Sequence, residues 1–282
     1  MMDVTGKTIV ITGGASGIGL ATATRFAERD VNLVLGDIEE GPLDAAVAGL
    51  KASGARVLGV KTDVTKEDDV IGLRDAALAE FGAVHVIFNN AGVSAGATIG
   101  TPTEVWRWVL DVDLFGVIYG VNAFVPLFIE QNEGYVINTA SLAGLSGFPG
   151  MGPYCTAKMA VVGLTESLFH ELALQGSNVG VSVLCPGFVR TRIHESERNM
   201  PRGIASYADD PTAQMISGLA SQAVNAGIDA ADVARAVDEA VQAERFWILT
   251  HEHSAIRTTE IRLEWMRGGP PLRFDPMSAT KG

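Results

Sequence analysis

The stretch KTIVITGGASGIG, residues 7–19, joins a short apolar run directly to a glycine-rich turn. The run KTIVIT is nearly continuously apolar, which is typical of a strand that is covered on both faces. Gly13, Gly17 and Gly19 then precede a helical pattern, GLATATRFAERD. Glycines at this point let the backbone turn tightly and approach a phosphate group at the positive end of a helix. Glycine also serves ordinary turns, so the position between a first strand and a first helix carries the prediction.

The same alternation of strand and helix continues along the chain. Further strands are predicted at VNLVLG (31–36), ARVLGV (55–60), VHVIFN (84–89), GYVINT (134–139), VGVSVL (179–184) and FWILT (246–250). Longer helical patterns separate them, among them EDDVIGLRDAALAEFG and PTEVWRWVLDVDLFGVIYGVNAFVPLFIEQN. Serial alternation of this kind predicts an α/β fold with a parallel sheet and right-handed crossovers.

The chain of 282 residues has no linker rich in Pro, Gly or Ser. We therefore predict one dinucleotide-binding and catalytic domain over residues 1–267, followed by an aperiodic tail, 268–282. Residues 188–227 break the rhythm between the sixth and seventh strands, and their second part is predicted to be helical from Pro211. A long insertion at the carboxyl edge of a sheet predicts a substrate lid.

Composition limits the classes of partner and the compartment. A net charge of −12 argues against nucleic acid and anionic membrane surfaces. No signal peptide is expected, and no apolar run is expected to be long enough to span a bilayer. Cys155 and Cys185 are predicted to be small buried residues in a reducing cytoplasm. The run His251-Glu252-His253 has metal-binding side chains, but a solvated turn is the favoured interpretation, so no metal site is predicted.

Polar side chains follow several of the predicted strands. Asp37 ends the second strand, where a carboxylate can accept hydrogen bonds from the adenosine ribose and repel a 2′-phosphate. No Arg or Lys lies in the glycine turn or directly after Asp37, so NAD is predicted rather than NADP. A solvated turn aspartate is the alternative. Asp63-Val64 and the NNAG run, Asn89 to Gly92, follow the third and fourth strands, where loop caps are the alternative to cofactor contacts.

Tyr154 and Lys158 are four residues apart in the segment GPYCTAKMA, residues 152–160. On a helix this spacing places both side chains on one face. An exposed Tyr–Lys pair is the ordinary interpretation of such a spacing. It is outweighed here by the motifs elsewhere in the chain.

Together these motifs resemble the short-chain dehydrogenase/reductase family. The resemblance rests on TGGASGIG (12–19), Asp37, DV (63–64), NNAG (89–92), Ser141, YCTAK (154–158) and PGFVRT (186–191). It implies a Rossmann-type, doubly wound, seven-stranded parallel sheet with helices on both faces, and a homo-oligomer, tetramer or dimer. It also implies a cofactor site formed by Gly13, Ser16, Gly17, Ile18, Gly19, Asp37, Ile38, Asp63, Val64, Asn90, Ala91, Gly92, Tyr154, Lys158, Pro186, Gly187, Val189 and Thr191.

The resemblance assigns the catalytic roles as well. Ser141 matches a serine that orients the substrate, Tyr154 matches the acid/base, and Lys158 matches a lysine that binds the ribose. One position departs from the family pattern, because Asp113 stands where the family usually has asparagine. Asp113 is predicted to be catalytic together with Ser141, Tyr154 and Lys158. The apolar side chains Phe148, Met151 and Phe188 flank these motifs and are predicted, with Ser141 and Tyr154, to contact substrate; core packing is the alternative for the three apolar residues.

Elementary chemistry supports a Tyr–Lys pair. Lowering the pKa of a tyrosine from about 10 to about 7 requires roughly 4 kcal/mol of preference for the phenolate. A cation about 4 Å away, at an effective dielectric constant of about 20, supplies energy of that order. Asp113, expected at about 7 Å from Lys158, would offset roughly 2 kcal/mol of that field if ionised. A protonated Asp113 without electrostatic effect is the alternative.

The sequence thus predicts an NAD-dependent oxidoreductase that interconverts a secondary alcohol and a ketone. Its substrate is expected to be small and apolar or aromatic. A redox-silent NAD-binding regulatory or assembly protein is the competing interpretation. Such a protein would be expected to lack Tyr154 or Lys158.

Overall fold

The computed structural model describes residues 2–204 and 211–271, without the side chains of residues 211–217. The tail prediction thus falls largely outside the described residues, since 272–282 are not among them. Seven strands form one sheet. They are β1 (Thr8–Thr12), β2 (Asn32–Asp37), β3 (Arg56–Lys61), β4 (Val86–Asn89), β5 (Gly134–Thr139), β6 (Val179–Cys185) and β7 (Trp247–Leu249). The helices are α1 (Gly17–Ala27), α2 (Glu40–Ala52), α3 (Glu67–Phe81), α4 (Thr103–Leu110), α5 (Gly116–Gln131), α6 (Gly152–Leu174), α7 (Pro211–Asn225), α8 (Ala230–Ala243) and α9 (Glu252–Met266).

The sheet has the order β3-β2-β1-β4-β5-β6-β7, and every pair of neighbours is parallel. The predicted doubly wound fold is therefore confirmed. The chain leaves β3 at one edge and returns to the centre, where β4 pairs with β1. In open α/β sheets such a switch of strand order opens a crevice at the carboxyl ends of the strands, where ligands bind.

The two largest apolar clusters of the described residues cover the sheet, one on each face. Ile9 and Ile11 of β1 pack into a core with residues of α1, α2 and α8, whereas Val10 packs on the other face with residues of α3, α4, α5 and α6. Alternate residues of one strand thus enter opposite cores, and all five residues of β1 are buried. This accounts for the continuous apolar runs seen in the sequence.

The long pattern PTEVWRWVL…IEQN forms one continuous helical stretch with an irregularity. A π-helical turn, Asp111–Phe115, separates α4 from α5. By length and composition alone this stretch, Thr103–Gln131, could cross a membrane, so the expectation that no run reaches that length was wrong. Its apolarity has another explanation in the fold, because Val105, Val109, Phe124 and Phe128 are fully buried against the sheet.

The predicted insertion 188–227 leaves and re-enters the fold at one point. The Arg190 N–H donates to the Ile228 carbonyl at 2.9 Å, and the Ile228 N–H donates to the Phe188 carbonyl at 3.1 Å. A 3₁₀ segment, Ile193–Asn199, follows the first of these contacts, and α7 begins at Pro211 as predicted. Part of the insertion, residues 205–210, lies outside the described residues.

Candidate active site

A cavity of about 930 Å³ lies along the carboxyl edge of the sheet. The glycine turn, the ends of β2 to β5, the start of α6, the loop after β6 and the insertion all contribute to its walls. All of the cofactor and substrate residues predicted from the sequence line it, with the exception of Gly19. The topology therefore brings together residues that are separated by most of the chain.

The glycine turn is shaped by backbone packing. Gly13 has φ +63°, and a Cβ on it would lie 2.9 Å from Cα of Ala91. A Cβ on Gly19 would collide with the carbonyl oxygen of Gly13, so Gly19 serves the close packing of turn and helix rather than the cavity wall. Ser16 precedes α1 without capping it by its side chain, so the first N–H groups of α1 stay available to an anion.

Asp37 lies at the cavity wall at the end of β2, with little exposure. The Ala15 N–H donates to Oδ2 and the Glu39 N–H donates to Oδ1, both at 3.0 Å. Burial raises the pKa of Asp37, and these backbone donors oppose that rise. The carboxylate is thus fixed by the glycine turn on one side and by the start of α2 on the other.

Side-chain hydrogen bonds fix the loops that follow β3 and β4. The Asn90 side chain donates to the carbonyl oxygens of Thr12 and Gly13 at 3.0 and 3.3 Å, which joins β4 to the glycine turn. Asp63 accepts from the N–H and hydroxyl of Thr65 at 3.1 and 2.7 Å. Burial acts to raise the pKa of Asp63, but the Thr65 and Lys66 contacts lower it overall. Asp63 is therefore a loop cap that also lies at the cavity.

Ser141, Tyr154 and Lys158 converge at the middle of the cavity. Ser141 ends the segment after β5, where its hydroxyl donates to the Pro186 carbonyl at 3.3 Å and accepts from the Ala143 N–H at 3.1 Å. Tyr154 and Lys158 lie one turn apart on α6, and the Lys158 Nζ is 5.5 Å from the centre of the Tyr154 ring. All three side chains are buried, so a substrate reaching them leaves water behind.

The pKa of Tyr154 moves in the direction opposite to the sequence-based expectation. Burial raises it well above its usual value, the negative charge of Asp113 raises it further, and an interaction with Ser141 opposes the rise. In the absence of ligands the phenol is therefore protonated at neutral pH. The expectation that Lys158, helped by oxidised nicotinamide, would bring it near 7 did not include the burial of the ring, and it placed Asp113 farther from Lys158 than the 3.2 Å observed.

Asp113 is closer to Lys158 than predicted. Its Oδ2 lies 3.2 Å from the Lys158 Nζ, and its Oδ1 accepts from the Val93 N–H at 2.7 Å. The expected distance of about 7 Å was wrong, because the π-helical turn carries Asp113 directly beneath the lysine. Burial raises the pKa of Asp113, while Lys158 and the Val93 N–H oppose that rise. Asp113 is fully buried and is not among the residues lining the cavity, so it is a positioning residue rather than a catalytic one.

Lys158 has two acceptors. Besides Asp113, its ammonium donates to the Thr139 carbonyl at 3.0 Å. A Cβ on Gly92 would lie 3.4 Å from the same nitrogen, so a glycine at this point keeps the approach to the lysine open. The lysine is thus held by β5 and the π-helical turn while its remaining side faces the cavity.

Phe148, Met151 and Phe188, predicted to contact substrate, lie on the wall of the cavity. The Phe148 N–H donates to the Sγ of Cys155 at 3.3 Å, which ties this loop to the first turn of α6. Ile204, Ala220 and Val224 of the insertion add further apolar side chains to the cavity. The substrate end of the cavity is therefore largely apolar.

Two side chains that support segments of the cavity wall were not recognised in the sequence. His251 is half-buried, and its Nδ1 accepts from the Gly187 N–H at 3.1 Å, so it supports the loop PGFVRT instead of forming a solvated turn. Arg198 of the 3₁₀ segment reaches across to Glu39 beside Asp37. Neither contact has a local sequence signal, because each joins segments far apart in the chain. Among the described residues no cluster of His, Cys, Asp or Glu could hold a metal ion.

The walls fit a dinucleotide. The N-terminal end of α1, the fixed Asp37 carboxylate and the buried Lys158 all line this one cavity, and such groups suit a phosphate and a ribose. Side chains at Gly13 and Gly19 would displace the turn that shapes the phosphate end. The same cavity is lined by Tyr154 and by the apolar side chains Phe148, Met151 and Phe188, and its volume of about 930 Å³ is large for a single site.

Comparison with known proteins gives consistent relatives. The family model described as short chain dehydrogenase matches residues 7–202. A crystal structure of a short-chain dehydrogenase/reductase from Burkholderia phymatum in complex with NAD is 41% identical, with a TM-score of 0.94, and covers 98% of this chain and 99% of that one. The CLA biosynthesis dehydrogenase/reductase of Lactiplantibacillus plantarum is 34% identical over 97% of this chain and 98% of its own length. The 3beta-hydroxysteroid dehydrogenase 2 of Eggerthella lenta is 38% identical over 72% of this chain and 80% of its own length.

Proposed function

This chain belongs to the short-chain dehydrogenase/reductase family, and from that premise we propose that it is an NAD(H)-dependent oxidoreductase that interconverts a secondary alcohol and a ketone. The observation that supports this most directly is the convergence of Ser141, Tyr154 and Lys158 on one cavity whose other end fits a dinucleotide. Bound NAD would supply the hydride acceptor, and NADH the donor, beside these side chains. The relative crystallised with NAD supports the choice of cofactor.

Side chains of the protein transfer the proton of the reaction and orient the substrate. Ser141 is placed to hydrogen-bond the substrate oxygen, with its own hydroxyl oriented by Pro186 and Ala143. In the reducing direction Tyr154 donates its phenolic proton to that oxygen, and in the oxidising direction it removes the hydroxyl proton. Lys158 stabilises the phenolate that forms and binds the ribose, while burial of the site strengthens each of these interactions.

The substrate we propose is apolar or aromatic, since Phe148 and Met151 pack in one cluster with Tyr154 and Phe188 also lines the cavity. We further propose a homo-oligomer. In support, α5, α6 and the π-helical turn before α5 carry large apolar side chains that are partly or largely exposed, namely Phe115, Ile129, Phe169 and Leu174.

A panel of secondary alcohols, including cyclic and benzylic ones, tests the activity by NADH formation at alkaline pH. The corresponding ketones are then offered with NADH at neutral pH. We expect turnover with members of both sets. Complete silence with every alcohol and ketone, together with tight binding of NADH, would support the redox-silent alternative instead.

A further inference from the structure

The insertion is joined to the adenosine end of the cavity by an ion pair. Arg198 Nε lies 2.8 Å from Glu39 Oε1, and its Nη2 donates to Glu39 Oε2 at 3.3 Å. Arg198 belongs to the 3₁₀ segment after β6, whereas Glu39 immediately precedes α2. Both side chains line the cavity, and the pair spans it between these two segments.

The geometry of the pair is fixed on both sides. The Nη1 of Arg198 donates to the carbonyl oxygens of Arg192 and Glu195 at 3.1 and 3.0 Å, which holds the guanidinium in the plane of the pair. On the other side, the Glu39 N–H donates to Asp37 Oδ1 at 3.0 Å. The ion pair is therefore built directly onto the carboxylate that faces the ribose. The nearby Arg192 is itself paired with Glu195 at 2.7 Å.

The sequence has no basic residue directly after Asp37, but the fold brings Arg198 to the same end of the cavity from a distant segment. A guanidinium at this end of the cavity is the group that would recognise a ribose 2′-phosphate. Here four of its five N–H donors bind Glu39 and two carbonyl groups. Asp37 and Glu39 supply two negative charges against one positive charge on Arg198, so the group keeps a single net negative charge.

We infer that Glu39 is a second determinant of cofactor specificity, which excludes NADP(H) by occupying and neutralising Arg198. The inference rests on the proposed use of NAD(H) and concerns the same site. Removal of the Glu39 charge frees Arg198 to meet a 2′-phosphate and makes the group neutral. Removal of the Arg198 charge leaves two carboxylates that repel it.

Two variants distinguish a role of Glu39 in cofactor specificity from a purely structural role of the ion pair. Glu39→Gln and Arg198→Gln both break the ion pair, so a clasp that only holds the insertion in place would shift both variants in the same direction. The specificity role shifts the ratio of the NADPH and NADH affinities in opposite directions. A change of one unit charge beside the 2′-phosphate is expected to change the ratio of the NADPH and NADH affinities by about threefold to tenfold.

The dissociation constants of NADH and NADPH are measured by fluorescence titration for the wild type, both variants and the double variant. Glu39→Gln is expected to move the preference toward NADPH and Arg198→Gln to move it further toward NADH. The double variant restores the single net negative charge and is expected to lie near the wild type. Glu133→Gln is the control, since it removes one charge from an ion pair with Lys7, away from the cavity.

Equal ratios in all five proteins, or shifts of both single variants in the same direction, would overturn the inference. Thermal melts of each variant establish that it is folded. Binding needs no substrate, so the result is independent of whether a panel of alcohols finds activity. A wild type that binds neither NADH nor NADPH would instead overturn the proposed function.

Discussion

Asp113 and Lys158 form an ion pair with Oδ2 3.2 Å from Nζ, and both side chains are shielded from solvent. A lysine that shares its charge with a buried carboxylate stabilises a neighbouring phenolate less than an unpaired lysine does. The substitution of asparagine, usual in the family, by Asp113 therefore reaches the acid/base through the lysine.

The wild-type enzyme is expected to show different pH dependences in its two directions. The pKa of Tyr154 is raised by burial and by Asp113, so the protonated phenol persists through neutral pH. Ketone reduction, which uses the protonated form, is expected to hold its rate from about pH 6 to 8, whereas alcohol oxidation is expected to rise with pH. Profiles of kcat/KM in both directions test this, and an oxidation rate that is flat across the neutral range would contradict it.

The variant Asp113→Asn is expected to retain activity and to move the acidic limb of the oxidation profile downward, by up to about one pH unit. It keeps an acceptor for the Val93 N–H but removes the negative charge beside Lys158. Asp111→Asn is the matched control, because it removes an exposed carboxylate from the same π-helical turn. A limb that stays in place or moves upward in Asp113→Asn would show that Asp113 is not an anion coupled to Tyr154.

The variant Tyr154→Phe is expected to bind NADH almost as the wild type does and to lose at least about 100-fold in turnover. The ring still packs beside Ala143 and Cys155, while the ionisable oxygen is gone. Tyr119→Phe, on α5 and outside the cavity, makes the same chemical change as a control. Near-wild-type turnover in Tyr154→Phe would remove the tyrosine from the mechanism.

The wild type is expected to prefer NAD(H) to NADP(H) by at least about tenfold in kcat/KM, since the fixed Asp37 carboxylate repels a 2′-phosphate. Both oxygens of Asp37 accept backbone N–H groups, so the side chain cannot rotate away easily. The measurement compares both cofactors with one substrate. Equal values would show that Asp37 does not face the ribose.

A stability prediction concerns Asp238 of α8, which is buried and accepts from Arg25 Nε at 2.9 Å and from Arg29 Nη2 at 2.8 Å. Asp238→Ala is expected to lower the free energy of unfolding by about 2 kcal/mol, below the range for fully buried pairs because both arginines can still reach water. Asp232→Ala, which breaks an exposed pair with Arg235 on the same helix, is expected to change it by less than about 1 kcal/mol. Urea denaturation measures both, and equal losses would contradict the role of Asp238.

The order of strands and helices could be predicted because each one is specified by its own residues. The apolar runs gave β1 to β7 to within a few residues, although FWILT shortened to Trp247–Leu249. The cavity-lining residues were also predictable where the motif is local, as at Gly13, Tyr154 and Lys158. Contacts between distant segments were not predictable, because the sequence has no local signal for Arg198 meeting Glu39 or His251 meeting Gly187. The distance of Asp113 from Lys158 was also not predictable. A π-helical turn changes the direction of the side chains that follow it, and regular helical periodicity does not include that change.

The packing of α1 against α8 has a consequence for how the chain emerges from the ribosome. Phe26 of the first helix is buried in a core that includes Val233 and Val237, residues that are translated long after it. Asp238, the ion-pair partner of Arg25 and Arg29, is also translated late relative to them. The nascent chain therefore carries an uncovered apolar face on α1 until α8 has been translated, and release before that point would leave an aggregation-prone fragment for chaperones to bind.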